Sequence, residues 1–363
     1  MANDPLLRTG SSFIIVGGAR PGNCQSAYVA PRLDYLLVAQ QLGAAILHWY
    51  ASPSGIVGPR LWRIGRSLGT NSWHAQAMLR SVPAGATVYS TGETWGLPVA
   101  LAAGAMRRNI KHMMYVHRVF SPRWLSALKR LGPHLKVDGW VCVTRHQADL
   151  LRAALGPDTR VTAISQGVDT QYWDPTTTNP SEEPYILSVG TEMRNYPLLF
   201  EAVRGLDVRV VVKASSAWMR GARESLGMPP PNVDLITEHL SYDELRNLYA
   251  GARLVVVPLQ NTPQAAGITT IMEAMAMKKC VIATASEGLP DVMRDGSAGR
   301  VVAGETRALR QGLRELWDDA CQRQRLAMAG HATVRRECSL ERHAERVAGF
   351  TSHLDTQARQ SVP

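Results

Sequence analysis

Short, mainly apolar runs alternate with longer amphipathic stretches along this chain. The first run is 12–16 (SFIIV), followed at once by Gly17-Gly18. Runs at 44–48, 87–90 and 139–144 repeat the pattern, and a helical period from Arg145 to about Leu155 leads into 161–164. An apolar run without polar alternation reads as a strand buried on both faces, and helical stretches between such strands make βαβ units. The implied architecture is a parallel sheet with helices on both sides.

The segment 174–184 (DPTTTNPSEEP) interrupts the rhythm with three prolines and three threonines and reads as a linker. The alternation then restarts. Strands are expected at 185–189, 208–213, 233–236, 253–258 and 280–283. Helices are expected at 197–205, 241–250 and 268–277, the second opened by a capping box from Ser241 to Glu244. The expected fold class is α/β, with two Rossmann-like domains facing each other across a cleft. The N-terminal domain is placed at 1–172, a linker at 173–184, the C-terminal domain at 185–338 and a helical tail at 339–363. Open α/β sheets bind ligands beyond the carboxyl ends of their strands, so the cleft is the expected site.

Composition narrows the classes. With 45% hydrophobic and 19% charged residues, 363 residues suit two globular domains and exclude a disordered chain. No apolar run reaches the roughly 18–20 residues of a membrane span. Met1 to Gly10 carries acid and proline ahead of the first apolar run, so no secretory signal is expected and the protein is read as cytoplasmic. Five scattered cysteines with no C-x-x-C pair argue against a disulfide framework or a structural zinc.

The net charge of +10 is one-sided. Residues 1–170 hold 18 Lys and Arg against 7 Asp and Glu, an excess of +11, whereas residues 171–363 hold 22 against 23. The excess points the first half toward an anionic partner, such as a membrane surface, nucleic acid or a phosphorylated substrate. A solvated arginine-rich surface explains it as well. From Arg118 to Lys136, helical spacing puts Trp124, Leu128 and Leu131 on one face and Lys129 and Arg130 toward another. Such a helix can lie on an anionic bilayer or be an ordinary domain-surface helix. The basic residues form no helix-turn-helix or finger pattern, so nucleic acid is not an expected partner.

The most informative stretch is 258–290 (PLQNTPQAAGITTIMEAMAMKKCVIATASEGLP). Gly267 opens a helix whose first turn is Ile268-Thr269-Thr270. Free N–H groups there, with the helix dipole, make an anion site, and two threonine hydroxyls add donors. Glu273 follows on the same helix, where a carboxylate can accept both hydroxyls of a ribose. Gly17-Gly18 lets a backbone approach a ligand closely, although a tight turn explains the pair equally well.

This stretch resembles the signature of the retaining glycosyltransferases of family 4, which have the GT-B fold. The matching residues are Glu273-Ala274-Met275-Ala276, Val281-Ile282-Ala283-Thr284, Gly288-Leu289-Pro290-Asp291, and Asp295-Gly296 with Gly299. Gln166-Gly167-Val168-Asp169 resembles the family's N-G-V-D, Ser188-Val189-Gly190 the strand end that opens its second domain, and 242–250 its helix ending in Tyr-x. Met113 to Arg118 (MMYVHR) is similar to the strand that delivers a histidine beside the sugar, so His117 is implied there. A core-edge histidine is the competing reading. The resemblance is strong over 140–305 and weak over 1–110.

The resemblance implies a hexosyl transfer from a nucleotide-sugar donor, a UDP- or GDP-sugar, with retention and without a metal or other cofactor. Catalytic roles fall to His117, Arg194 and Glu273. Donor binding falls to Gly17, Gly18, Gly190, Arg194, Lys213, Gln264, Gly267, Ile268, Thr269, Thr270 and Glu273, with Arg194 placing a permanent charge on the departing diphosphate. A snorkelling surface role is the competing reading for Lys213. The acceptor is expected to be lipid-linked, an envelope glycan or glycolipid reached from the inner face of the membrane by way of the Arg118 to Lys136 helix. A small soluble acceptor such as a secondary metabolite is the alternative. Epimerisation, phosphorolysis and a non-catalytic nucleotide-sugar-binding role remain open. Departures from the family pattern are Thr191 for an arginine, Lys278 and Cys280 for glycine and proline, and the absent first Glu of the Glu-x7-Glu pair. Counting from Glu273 reaches Ala265 and counting from Gly267 reaches Gln264, and Gln264 is taken as the substitute.

Overall fold

Each apolar run becomes a strand that pairs with apolar neighbours, one at a sheet edge and two inside it, so the backbone groups pair and both faces are available for helices. The computed structural model describes residues 12–17, 30–48, 70–118, 120–178, 183–214 and 227–360. β1 (Ser12–Val16), β2 (Ala45–His48), β3 (Thr87–Ser90), β4 (Lys111–Val116), β5 (Gly139–Cys142) and β6 (Val161–Ala163) form one sheet in the order β2-β1-β3-β4-β5-β6. β7 (Tyr185–Val189), β8 (Val210–Lys213), β9 (Val233–Ile236), β10 (Ala252–Val257), β11 (Val281–Thr284) and β12 (Arg300–Val302) form a second, in the order β12-β11-β10-β7-β8-β9. Every pairing in both sheets is parallel. The expected α/β class with two Rossmann-like domains is therefore what the chain adopts. The edge strand β12 carries too short an apolar signal to be read in advance.

Helices cover both faces of the first sheet. Phe13, Ile15 and Val88 pack with Leu79 and Val99 on one side. Met114, Val116 and Trp140, which the strand register places on that same face, pack with Leu128 and Leu151, while Gly139 on the opposite face meets Phe350 and Leu354 of the terminal helix. In the second sheet Ile186, Val210, Leu254 and Ile282 join Leu199, Phe200, Leu309 and Leu313. At roughly 25 cal/mol per Å2, this apolar burial is the main force holding each sheet to its helices.

The chain separates into two units. Leu33–Ile164, with β1 and the chain from His343 onward, forms the first, and Ser165–Arg342, with residues 30–32, forms the second. The passage therefore falls at 164–165, ahead of the 173–184 segment. Packing and charge account for this: Tyr172 and Trp173 stack edge-on with Tyr242, and Trp173 with Tyr249, all within the second unit. Asp169 accepts from Arg32 N, Nε and Nη2 at 2.9, 3.1 and 2.7 Å. The terminal helix Leu340–Gln360 is shared, because from His343 it belongs to the first unit. A Cβ on Gly139 would lie 2.8 Å from Phe350 and Leu354, so the helix packs directly against β5.

Both sheets reverse their winding direction at one place, between β1 and β3 and between β7 and β10. A crevice opens at such a switch point because the connections leave toward opposite faces. The candidate donor-site side chains of the second unit follow the carboxyl ends of β7 and β10. No helix among the described residues is long and apolar enough to cross a membrane.

Candidate donor site and the His117 turn

β7 ends at Val189, and Gly190 turns the chain with φ +97°, a conformation that penalises any Cβ. The following turn carries Arg194, only 8% exposed, under this strand end. Its Nε and Nη2 donate to Val189 O at 3.2 and 3.1 Å, and Nη1 donates to Glu192 O at 2.8 Å. Nη2 also donates to Thr270 Oγ1 at 3.1 Å. A Cβ on Gly190 would lie 2.9 Å from Arg194 Nη2, and one on Gly267 would lie 3.6 Å from Nη1. The two glycines thus flank the guanidinium. Burial pushes the Arg194 pKa below its ordinary value, yet an arginine remains a cation at any working pH. Four of its five N–H directions are spent inside the protein. The second Nη1 hydrogen takes no described partner.

The loop from Pro258 to Gly267 is held from two sides. Asn195 N donates to Pro258 O at 2.7 Å, Gln260 N to Met193 O at 2.9 Å, and Arg194 pairs with Leu259 as an antiparallel bridge. At the end of β11, Thr284 Oγ1 accepts from Leu259 N at 2.7 Å and donates to Leu259 O at 2.9 Å. Ser286 Oγ accepts from Thr262 N at 3.2 Å, and Gly288 N donates to Thr262 O at 2.7 Å. A Cβ on Gly288 would collide with Gln264 O. Thr284, Ser286 and Gly288 therefore shape the loop wall.

This wall delivers Gly267, φ +74°, as the uncapped start of the helix Ile268–Ala276. No side chain caps its first turn, so the N–H groups of Ile268 to Thr270 keep their anion-binding character. Thr269 is exposed, whereas Ile268 and Thr270 are buried. The sequence reading of two donor hydroxyls is corrected here: Thr270 Oγ1 accepts from Arg194 and donates to Val189 O at 3.3 Å, which leaves the Thr269 hydroxyl outward.

Glu273 lies one turn further on, 8% exposed, and accepts from Tyr249 Oη at Oε2 over 2.8 Å. Burial pushes its pKa up to about 8, and the Tyr249 bond opposes that only in part. Tyr249 itself is pushed up, by burial first and then by the Glu273 charge. Sequence reasoning singled out Glu273 but not this partner, although Tyr249 lies in the matching 242–250 helix.

Lys213 ends β8 beside Gly190, but its Nζ donates to Glu238 O at 2.7 Å. Gln264 N is tied to Thr262 Oγ1 at 3.2 Å, with its side chain half-buried. Gly17 follows β1, and a Cβ there would run into the Trp95 ring, so the indole takes the close approach the glycine permits. Gly18 lies outside the described residues. His117 follows β4 in the first unit, half-buried, and its Nδ1 is 3.6 Å from Glu93 Oε2. Among the described residues, no group of three or more His, Cys, Asp or Glu side chains could hold a metal.

The basic stretch forms the helix Pro122–Leu131, capped by Ser121. Leu128 is buried, but Trp124 is 48% and Leu131 41% exposed. With Leu97, Leu101 and Arg118 they line a groove of about 570 Å3 within the first unit.

Two family descriptions match this chain: "Glycosyltransferase Family 4" over residues 23–172 and "Glycosyl transferases group 1" over residues 185–319. The alpha-maltose-1-phosphate synthase of Mycolicibacterium smegmatis is 27% identical over 66% of this chain and 70% of its own length. The enzyme of that name from Mycobacterium tuberculosis is 27% identical over 78% and 79%. Among solved structures, a glycosyltransferase from Rickettsia africae superposes with a TM-score of 0.68 at 16% identity, covering 95% of this chain and 99% of that one. HepE of Anabaena, in complex with UDP and glucose, gives 0.70 at 15% identity over 94% and 99%. The trehalose-6-phosphate enzyme of E. coli bound with UDP-2-fluoro glucose gives 0.70 at 12% over 94% and 98%.

Proposed function

Because the chain belongs to the family 4 type of glycosyltransferases, with their GT-B fold, we propose that it moves a hexosyl group from a UDP-sugar to an acceptor hydroxyl, with retention and without a metal. A GDP-sugar is the second donor to test. The observation that carries the reading is the β7–β10 switch point. There an uncapped helix start, an enclosed arginine and a buried carboxylate follow one another within one helix and one turn. The diphosphate fits the N–H groups of Ile268 to Thr270 and the remaining Arg194 N–H, and the ribose hydroxyls fit Glu273. As the anomeric C–O bond breaks, negative charge grows on the departing phosphate oxygen, where fixed donors stabilise it most. HepE and the E. coli enzyme, solved with UDP or a UDP-sugar, support uracil as the first base to try. A thermal melt is the test: UDP-glucose at ~100 times its dissociation constant should stabilise the native state by roughly 2.7 kcal/mol. No shift with any UDP- or GDP-sugar would remove the donor site.

For the acceptor we favour a lipid-linked molecule at an anionic membrane, reached by the Pro122–Leu131 helix. Its support is the open apolar stripe of Trp124 and Leu131 beside Arg123, Lys129 and Arg130. The second reading is a small phosphorylated sugar acceptor, favoured by the maltose-1-phosphate synthase relatives and the same basic excess. Each basic residue near an anionic bilayer contributes about 1 kcal/mol, an effect lost beyond a Debye length. The protein should therefore sediment with acidic vesicles at low salt and leave them at high salt. Remaining in the supernatant at low salt decides for the small acceptor.

A further inference from the structure

Glu93 occupies the first position of the helix Glu93–Ala105, directly after β3. Its place is set by crowding: a Cβ on Gly92 would lie 2.8 Å from the Trp95 ring, which also covers Gly17. The carboxylate is clamped by the next strand end. Oε2 accepts from His117 N at 3.1 Å and Oε1 from Arg118 N at 3.0 Å. The same Oε2 faces His117 Nδ1 at 3.6 Å. Tyr115 meets the imidazole edge-on, with ring centroids 4.6 Å apart, and Gln147 Nε2 donates to His117 O at 3.2 Å. His343 meets the Tyr115 ring edge-on from beyond, at 5.8 Å between centroids. Burial alone would raise Glu93, but the nearby His117 ring and the backbone N–H bonds to the carboxylate outweigh it and hold the carboxyl below its ordinary value. An ionised carboxylate held by two backbone N–H groups cannot turn away from the imidazole.

We propose that Glu93 is a positioning residue that keeps the neutral His117 proton on Nδ1, so that Nε2 is left as a hydrogen-bond acceptor for a substrate hydroxyl. The partner of one ring nitrogen decides where the imidazole proton resides. Without Glu93 the ring reverts to the preference of free histidine, with the proton on Nε2, and offers a donor where an acceptor is needed. The use of Nε2 toward the sugar rests on the glycosyltransferase reading above. The tautomer itself does not.

The test is 15N NMR of the full chain labelled at histidine, at a pH where the ring is neutral. The His117 signals are assigned by their loss in His117→Ala. Wild type should show the unprotonated nitrogen as Nε2, and Glu93→Gln should move the proton there. Turnover of UDP-glucose should fall roughly ten- to hundredfold in Glu93→Gln, as for other partners that orient a functional imidazole. A wild-type spectrum with the proton on Nε2, or one unchanged in Glu93→Gln, overturns the proposal whatever the activity. If instead the tautomer behaves as stated but His117→Ala turns over normally, the assignment of His117 to the sugar fails while the positioning by Glu93 stands.

Discussion

Glu273→Gln should make folding stability less dependent on pH and weaken the UDP-sugar at the same time. In the unfolded chain a glutamate titrates near 4.5, whereas in the fold burial pushes Glu273 up to about 8. Between those values the native protein holds a proton that the unfolded chain has lost. Stability from this group is complete below about 4.5 and drains away as pH rises toward 8. Glutamine removes that slope. The stability of the variant relative to wild type should rise by about 2–3 kcal/mol between pH 5 and 7, at ~1.4 kcal/mol per pH unit for one proton. Melts at the two pH values read this. Ribose hydroxyls donate to the carboxylate, so the ligand favours the ionised form and expels the proton. Wild-type affinity for UDP-glucose should accordingly rise from pH 6 to 8, and the variant should be flat and roughly ten- to a hundredfold weaker. Calorimetry that finds equal affinity and equal pH dependence would place Glu273 outside the nucleoside site. Tyr249 decides how much of the charge is tolerated, since its hydroxyl is the described donor to Oε2.

Arg194 should be as sensitive, for two reasons that separate by choice of substitution. Arg194→Ala removes a donor from Val189 O, Glu192 O and Thr270 Oγ1 together and leaves only the Thr270 hydroxyl on Val189 O, and a buried acceptor left short of its donor costs roughly 1–3 kcal/mol. That variant is expected to fold poorly. Arg194→Lys keeps the charge but lacks the planar fork that reaches strand end and helix together. It should fold, bind uridine normally, and lose roughly 100- to 1000-fold in turnover of the UDP-sugar, in line with removal of one preorganised donor at a developing anion. Equal losses in uridine affinity and turnover would move Arg194 out of the phosphate site and leave it a structural clamp.

Much of this site was legible because the signature is local. Gly267, Ile268 to Thr270 and Glu273 are spaced along one helix, and helical geometry alone places them on successive turns. The Ser241–Glu244 capping box is likewise a matter of four consecutive residues, and both reciprocal bonds are present. Lys278 is more instructive. It stands where the family has glycine and still adopts the left-handed backbone, at φ +54°. The turn after the Ile268–Ala276 helix is thus retained against the residue's own preference, at a cost of about 1–2 kcal/mol. Thr284 and Gly288 were recognised only as matching letters, and their purpose became visible in the loop they hold.

The sequence by itself determined the βαβ alternation, the two sheets and the identity of the donor helix, because burial period, helix spacing and capping are encoded within a few neighbouring residues. The tertiary structure alone decided that Arg194 spends most of its fork inward, that Thr270 is occupied while Thr269 is outward, and that Lys213 answers Glu238. It alone paired Tyr249 with Glu273, 24 positions apart, and Glu93 with His117, also 24 apart. It also carried the chain from His343 onward back to the first unit. The physical reason is that a hydrogen bond or a charge pair depends on separation in space. Residues remote in sequence meet only when packed strands and helices bring their ends together, and no local period records which ends those will be.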